Sequence, residues 1–150
     1  MNITEISLTL LTPVIGLFGA WIGWQQMRIN KNRLRHELFE KRYAIFRAAG
    51  NFLGSIMREG KASEQAQADF RVGIQGASFL FDSSVNSLLN EIWEKAIDLE
   101  TKQFEMKDLP VGEERSRLAS EIGELKKWLI HEFKPLEDKC SKYLDMGHMK

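Results

Sequence analysis

ISLTLLTPVIGLFGAWIGWQQMRINKNRLR, residues 6–35, divides sharply in two. Residues 6–27 hold no charge over 22 positions, and four cations follow at once: Arg28, Lys31, Arg33 and Arg35. As a helix rising about 1.5 Å per residue, the uncharged part would extend about 33 Å, close to the roughly 30 Å hydrocarbon core of a bilayer. The segment therefore reads as a single transmembrane helix. Its flanks give a direction. Glu5 is the only charged side chain before it, whereas the cations come after it. The positive-inside rule then places the N-terminus outside and the rest of the chain in the cytosol. Trp21 and Trp24 stand just before the cations, at the depth of an interfacial aromatic belt, and Arg28, Lys31, Arg33 and Arg35 suit anionic lipid headgroups.

Two other readings fit less well. A cleavable signal peptide needs its cations before the apolar run and a small-residue cleavage site after it. A helix buried in a folded core would be weakened by the glycines and by Pro13, each interior Gly costing about 1 kcal/mol relative to Ala. In a membrane, Pro13 would begin or kink the regular helix, and Thr9 and Thr12 can return their hydroxyls to the backbone. The glycines also have a positive use. Gly16 and Ala20, and Gly19 and Gly23, are spaced four apart, a stripe along which a second helix can approach closely.

The whole chain is formally neutral, with 21 cations and 21 anions in 150 residues. The charge is unevenly placed. Residues 28–47 carry seven cations and two anions, and residues 48–150 carry 14 cations and 18 anions. Bulk charge thus argues against a general nucleic-acid binder, and no aromatic residues interleave the cations of residues 28–35. The single cysteine, Cys140, excludes an internal disulfide framework.

Downstream, the apolar spacing is helical throughout, and no segment shows strand alternation. Leu38, Ile45, Ala49, Phe52 and Ile56 form one stripe, and Phe39, Tyr43, Phe46, Leu53 and Met57 the next. Together they predict a wide buried face. Gly60 predicts the end of this first helix, which continues from the span into the domain. Ser63 predicts the N-cap of a second helix reaching about Gly73. Phe79-Leu80-Phe81 reads as a hydrophobic anchor before an Asp82-Ser83-Ser84 cap. A third helix follows, with Val85, Leu89, Ile92, Ala96 and Leu99 inward, to about Met106. A fourth begins near Glu113-Glu114 with the stripe Leu118, Ile122, Leu125, Leu129, Phe133, Leu136, Cys140 and Tyr143, and Pro135 should kink or interrupt it. The expected fold is all-α. A transmembrane helix with a short outer tail (1–27) leads into a cytosolic bundle of three to four helices (28–146), followed by a mobile tail (147–150).

Leu38-Phe39-Glu40-Lys41-Arg42-Tyr43 resembles the L-F-[DE]-[KR]-R-Y segment of a family of small bacterial single-pass membrane proteins. The stretches Phe79-Leu80-Phe81 and Leu109-Pro110-Val111-Gly112-Glu113-Glu114-Arg115 look similar to later parts of the same proteins. The resemblance covers most of the chain. It implies the architecture and a bacterial source, and carries no activity and no functional residues.

Chemical motifs are sparse. Arg42 falls on the apolar stripe beside Tyr43, where a charge must be paired or held at the rim. The expectation is an ion pair with Asp82 or Glu91. The alternatives are an anion site in which the guanidinium grips a phosphate or carboxylate, or simple snorkelling. No two of His36, His131 and His148 have metal-ligand spacing, and Cys140 has no second cysteine. No phosphate-binding loop, dinucleotide fingerprint or nucleophile elbow is present. Neither catalytic residues nor cofactor or metal ligands are therefore assigned, and an enzyme is not expected. The sequence reads as a membrane-anchored helical interaction module that contacts lipids and binds itself or a protein partner. The alternative is an oligomeric membrane effector or pore of a stress or phage-defence response.

Overall fold

The computed structural model describes the backbone of residues 3–145 and the side chains of residues 15–145. The readings placed on Thr9, Thr12, Pro13 and the 147–150 tail lie outside the described side chains. Among the described residues the chain is entirely helical: α1 (Ile3–Glu59), α2 (Glu64–Gly73), α3 (Ala77–Leu80), α4 (Ser83–Asp108), α5 (Glu113–His131) and α6 (Phe133–Leu144). It forms two compact units, Met1–Leu38 and Phe39–Lys150.

In the second unit the core is built from the expected stripes. Ile45, Ala49, Phe52 and Ile56 of α1 are buried with Val85, Leu89, Ile92, Ala96 and Leu99 of α4 and with Ile122, Leu129, Leu136 and Cys140 of α5 and α6. Phe52 stacks on Phe70 of α2 with ring centroids 4.5 Å apart. The adjacent stripe on α1 divides. Leu53 is buried, whereas Tyr43 and Met57 are exposed. The inward arc is therefore narrower than the apolar arc.

The turns follow from local chemistry. Gly60 adopts φ +67°, and its N–H donates to the Ile56 carbonyl at 2.8 Å, closing α1 in a conformation that suits glycine. Gln103 Nε2 donates to the Gly60 carbonyl at 2.8 Å and ties this turn to α4. Ser63 caps α2 by accepting from the Ala66 N–H. The end of α2 lies hard against α1, because a Cβ added at Gly73 would overlap the Ala48 Cβ. Gln67, buried on α2, donates to the Ala62 carbonyl at 2.9 Å and to Glu100 Oε2 at 2.7 Å, so its amide is satisfied inside the packing.

One expectation is corrected and one is met. The short helix α3 ends within the Phe79-Leu80-Phe81 segment, and only part of it anchors the Asp82 cap: Phe79 is 90% exposed and Phe81 is buried. A helical turn started by Gly76 at φ +82° sends neighbouring side chains to different sides, so only one of the two Phe rings can face the core. The last long helix is cut in two at Glu132. Pro135 has no N–H to give the His131 carbonyl, and its ring would strike it. α5 therefore stops at His131, and Pro135 falls in the first turn of α6, where helix donors lack intrahelical partners anyway.

Candidate functional site

Two regions concentrate the candidate residues, one in each unit. In the first unit, Ile15, Leu17, Phe18, Trp21, Ile22, Trp24, Met27, Ile29 and Leu34 are all exposed. At about 100° per residue these positions point around the whole circumference of a helix. Up to Met27 no charged residue interrupts this apolar surface, whereas Ile29 and Leu34 lie among exposed cations. Gly16, Gly19 and Gly23 have open space where a Cβ would stand, and Ala20 is exposed, so packing within the chain does not demand small residues there. The Arg28 guanidinium lies 5.6 Å from the Trp24 ring centroid, which brings an aromatic and a cation together at the end of the uncharged run. Arg33 pairs with Glu37 at 3.4 Å on the helix surface, and Lys31 and Arg35 are exposed. Among the described residues no helix is long and apolar enough to cross a membrane. Residues 6–14, the first part of the uncharged run, lie outside the described side chains.

The second region surrounds Arg42. The expected ion pair with Asp82 or Glu91 is not what holds it. Arg42 Nε donates to the Leu80 carbonyl at 3.1 Å, Nη1 donates to the Tyr143 carbonyl at 3.5 Å, and the guanidinium lies 5.3 Å from the Tyr143 ring centroid. Neutral carbonyls take two of its donors and a ring face lies beside the guanidinium, in place of the expected carboxylate. Tyr43, its sequence neighbour, points elsewhere. It stacks on Phe39 with centroids 5.9 Å apart and leans on Phe46. The aromatic partner of Arg42 is a tyrosine 101 positions away, which no local pattern could have shown.

Asp82 has a different partner. It caps α4 by accepting from the Ser84 N–H at 3.1 Å and the Val85 N–H at 3.2 Å, while Lys142 Nζ donates to its second oxygen at 2.6 Å. Lys142 foremost, then the Ser84 and Tyr143 hydroxyls, hold its carboxyl well below the usual carboxylate range. A lowered folded value means that the contribution of Asp82 is complete above the ordinary carboxylate value and fades as pH falls toward the lowered one. Asp82→Asn keeps an acceptor for the cap and loses the charge, whereas Asp82→Ala loses both. In thermal melts at pH 7, Asp82→Ala should lower Tm more than Asp82→Asn. Below about pH 4 the gap between wild type and Asp82→Asn should narrow. A gap that stays constant down to pH 2 would show that the Lys142 pair contributes nothing.

Burial pushes the Cys140 thiol up to about 11, so it is a poor nucleophile at neutral pH. Burial, and then the charge of Glu91, raises the carboxyl of Glu132 at the α5–α6 break. Lys102 Nζ bonds Glu121 Oε2 at 2.6 Å and joins α4 to α5. Among the described residues no group of three His, Cys, Asp or Glu side chains could hold a metal ion. No family model, curated protein or solved structure matches the chain.

Proposed function

We propose that the chain is a membrane-anchored helical interaction module. Residues 6–27 lie in the bilayer, and the helical unit Phe39–Lys150 stands at its cytosolic face. One observation carries this reading: the apolar side chains from Ile15 to Met27 are exposed around α1, and none of the described residues covers them. So much apolar surface marks contact with lipid or with other proteins. The absence of charge over residues 6–27 and the Trp24–Arg28 contact at its end favour lipid. Gly16, Gly19, Ala20 and Gly23 form the surface on which copies of the span associate. The carbonyl contacts of Arg42 at Nε and Nη1 give it a structural use, which favours this reading over a ligand-gated effector or pore.

Membrane fractionation tests the anchor. The wild-type chain should resist alkaline carbonate extraction. Leu17→Arg combined with Phe18→Arg should move it to the supernatant, since each Arg costs about 2.5–3.5 kcal/mol at the centre of a span. Gly19→Leu and Gly23→Leu should leave the chain in the membrane and weaken crosslinking between copies. Release of the wild-type chain by carbonate overturns the anchor. Crosslinking unchanged by both glycine variants overturns the association surface.

A further inference from the structure

An open apolar groove of about 320 Å³ runs along α1 against α5 and α6, lined by Gly50, Leu53, Gly54, Met57, Ile130 and Phe133. None of these side chains is charged. Met57 is 63% and Phe133 43% exposed, so the walls of the groove lack cover among the described residues. Its two ends differ. At one end the Phe133 ring meets Phe46, centroids 6.2 Å apart, and the surroundings are apolar. Toward the C-terminal end of α1 two cations stand nearby. Arg58 Nη1 lies 3.5 Å from where a Gly54 Cβ would stand, and Lys126 Nζ lies 3.2 Å from where a Gly60 Cβ would stand. Neither cation joins an ion pair among the described residues.

The dimensions limit the occupant. From Gly50 to Met57 the floor extends about 10 Å at about 1.5 Å per residue, and the volume lies at the lower end of small-molecule sites. An amphipathic partner helix, about 10–12 Å across and anchored over two turns or more, is too large for it. A second copy meeting this one face to face would set Arg58 and Lys126 against like charges. We propose that the groove binds a free single-chain anionic amphiphile of the medium-chain fatty-acid class. The alkyl chain lies along Leu53, Met57 and Ile130, and the anionic head sits at the end of the groove beside Arg58 and Lys126. Leu53, Met57 and Ile130 offer the chain apolar walls, and a guanidinium and an ammonium are the expected partners of a carboxylate.

Decanoate is the probe. Full-length protein in nanodiscs of zwitterionic lipid is titrated calorimetrically, with empty discs as the control. The expected result is saturable binding at one site beyond the partitioning into empty discs. Gly54→Leu fills the floor and should weaken binding about tenfold or more. Met57→Glu, at an exposed position where folding is not at stake, should do the same by placing a carboxylate in the groove. Combined Arg58→Gln and Lys126→Gln should weaken decanoate binding about fivefold and leave decanol unchanged. Three results would overturn the proposal: heat no greater than with empty discs, binding unaffected by both Gly54→Leu and Met57→Glu, or equal losses for decanoate and decanol in the charge variant. So would association between copies that Met57→Glu abolishes, because the groove would then be a protein interface. All of these are separate from carbonate extraction, so the anchor and the groove stand or fall independently.

Discussion

Leu129→Ala should cost about 2–5 kcal/mol of folding stability, read as a lowered denaturant midpoint at unchanged slope. Leu129 is fully buried on α5, and Leu136, seven positions on, is equally buried on α6. Seven residues are close to two helical turns, so the two leucines extend one seam across the break at Glu132. The break leaves little freedom to repack. Trp128 and Leu136 are tied to it by backbone bonds, Glu132 N–H to the Trp128 carbonyl at 3.1 Å and Leu136 N–H to the Glu132 carbonyl at 3.0 Å. A cavity at position 129 would therefore stay largely unfilled, and the cost should lie toward the upper part of the range. Ile130→Ala, one position along and partly exposed, serves as the comparison and should cost much less. Equal losses at the two positions would show that the seam is not continuous through Glu132.

The second large effect has the opposite sign from the one helix propensity suggests. In an unconstrained helix, Gly73→Ala would gain about 1 kcal/mol. Here the new methyl group would collide with the Ala48 methyl, so α1 and α2 must separate or tilt. Overpacking of this kind costs about 1–3 kcal/mol, enough to outweigh the propensity gain. Ala48→Gly supplies the missing space. In a double-mutant cycle, Gly73→Ala should be destabilising in the wild-type background and much less so, or stabilising, in Ala48→Gly. The coupling separates a steric clash from a general weakening of α2. Additive effects of the two substitutions would remove close approach as the reason for glycine at position 73.

A groove beside α1 lies close to this contact and has a different character. Ala44, Arg47, Ala48, Asn51, Ser55, Asp69 and Gly73 line a concavity of about 440 Å³ between α1 and α2 over the stacked Phe52 and Phe70 rings. Its lining mixes charges of both signs with small side chains, whereas the α1–α5–α6 groove is apolar with cations at one end. Only the latter restricts a ligand by both shape and charge.

Much of the fold was legible along the chain because its determinants are local. Gly60 ends α1, Ser63 and Asp82 begin α2 and α4, and Pro135 divides the last helix. Each acts on backbone groups within four residues of itself, so its effect can be read from a short window. The core stripes were legible for the same reason: side chains three or four apart share a face wherever the helix goes.

Other features required the tertiary structure. Periodicity shows that Tyr43, Met57 and Phe133 lie on apolar faces, but not how many neighbours are available to cover those faces. Only the packed bundle leaves them open. The partners of Arg42 at Leu80 and Tyr143 and of Asp82 at Lys142 are long-range, 38, 101 and 60 positions apart, and charge alone offered several plausible pairings. The close approach of Gly73 to Ala48 carries no signature in either segment. By itself, then, the sequence determined where helices start and stop, which face of each is apolar, and where a long uncharged run meets a band of cations, because all of these depend on neighbours in the chain. Tertiary structure decided which apolar faces are covered, which charges meet and where backbones touch, because those depend on residues that only folding brings together.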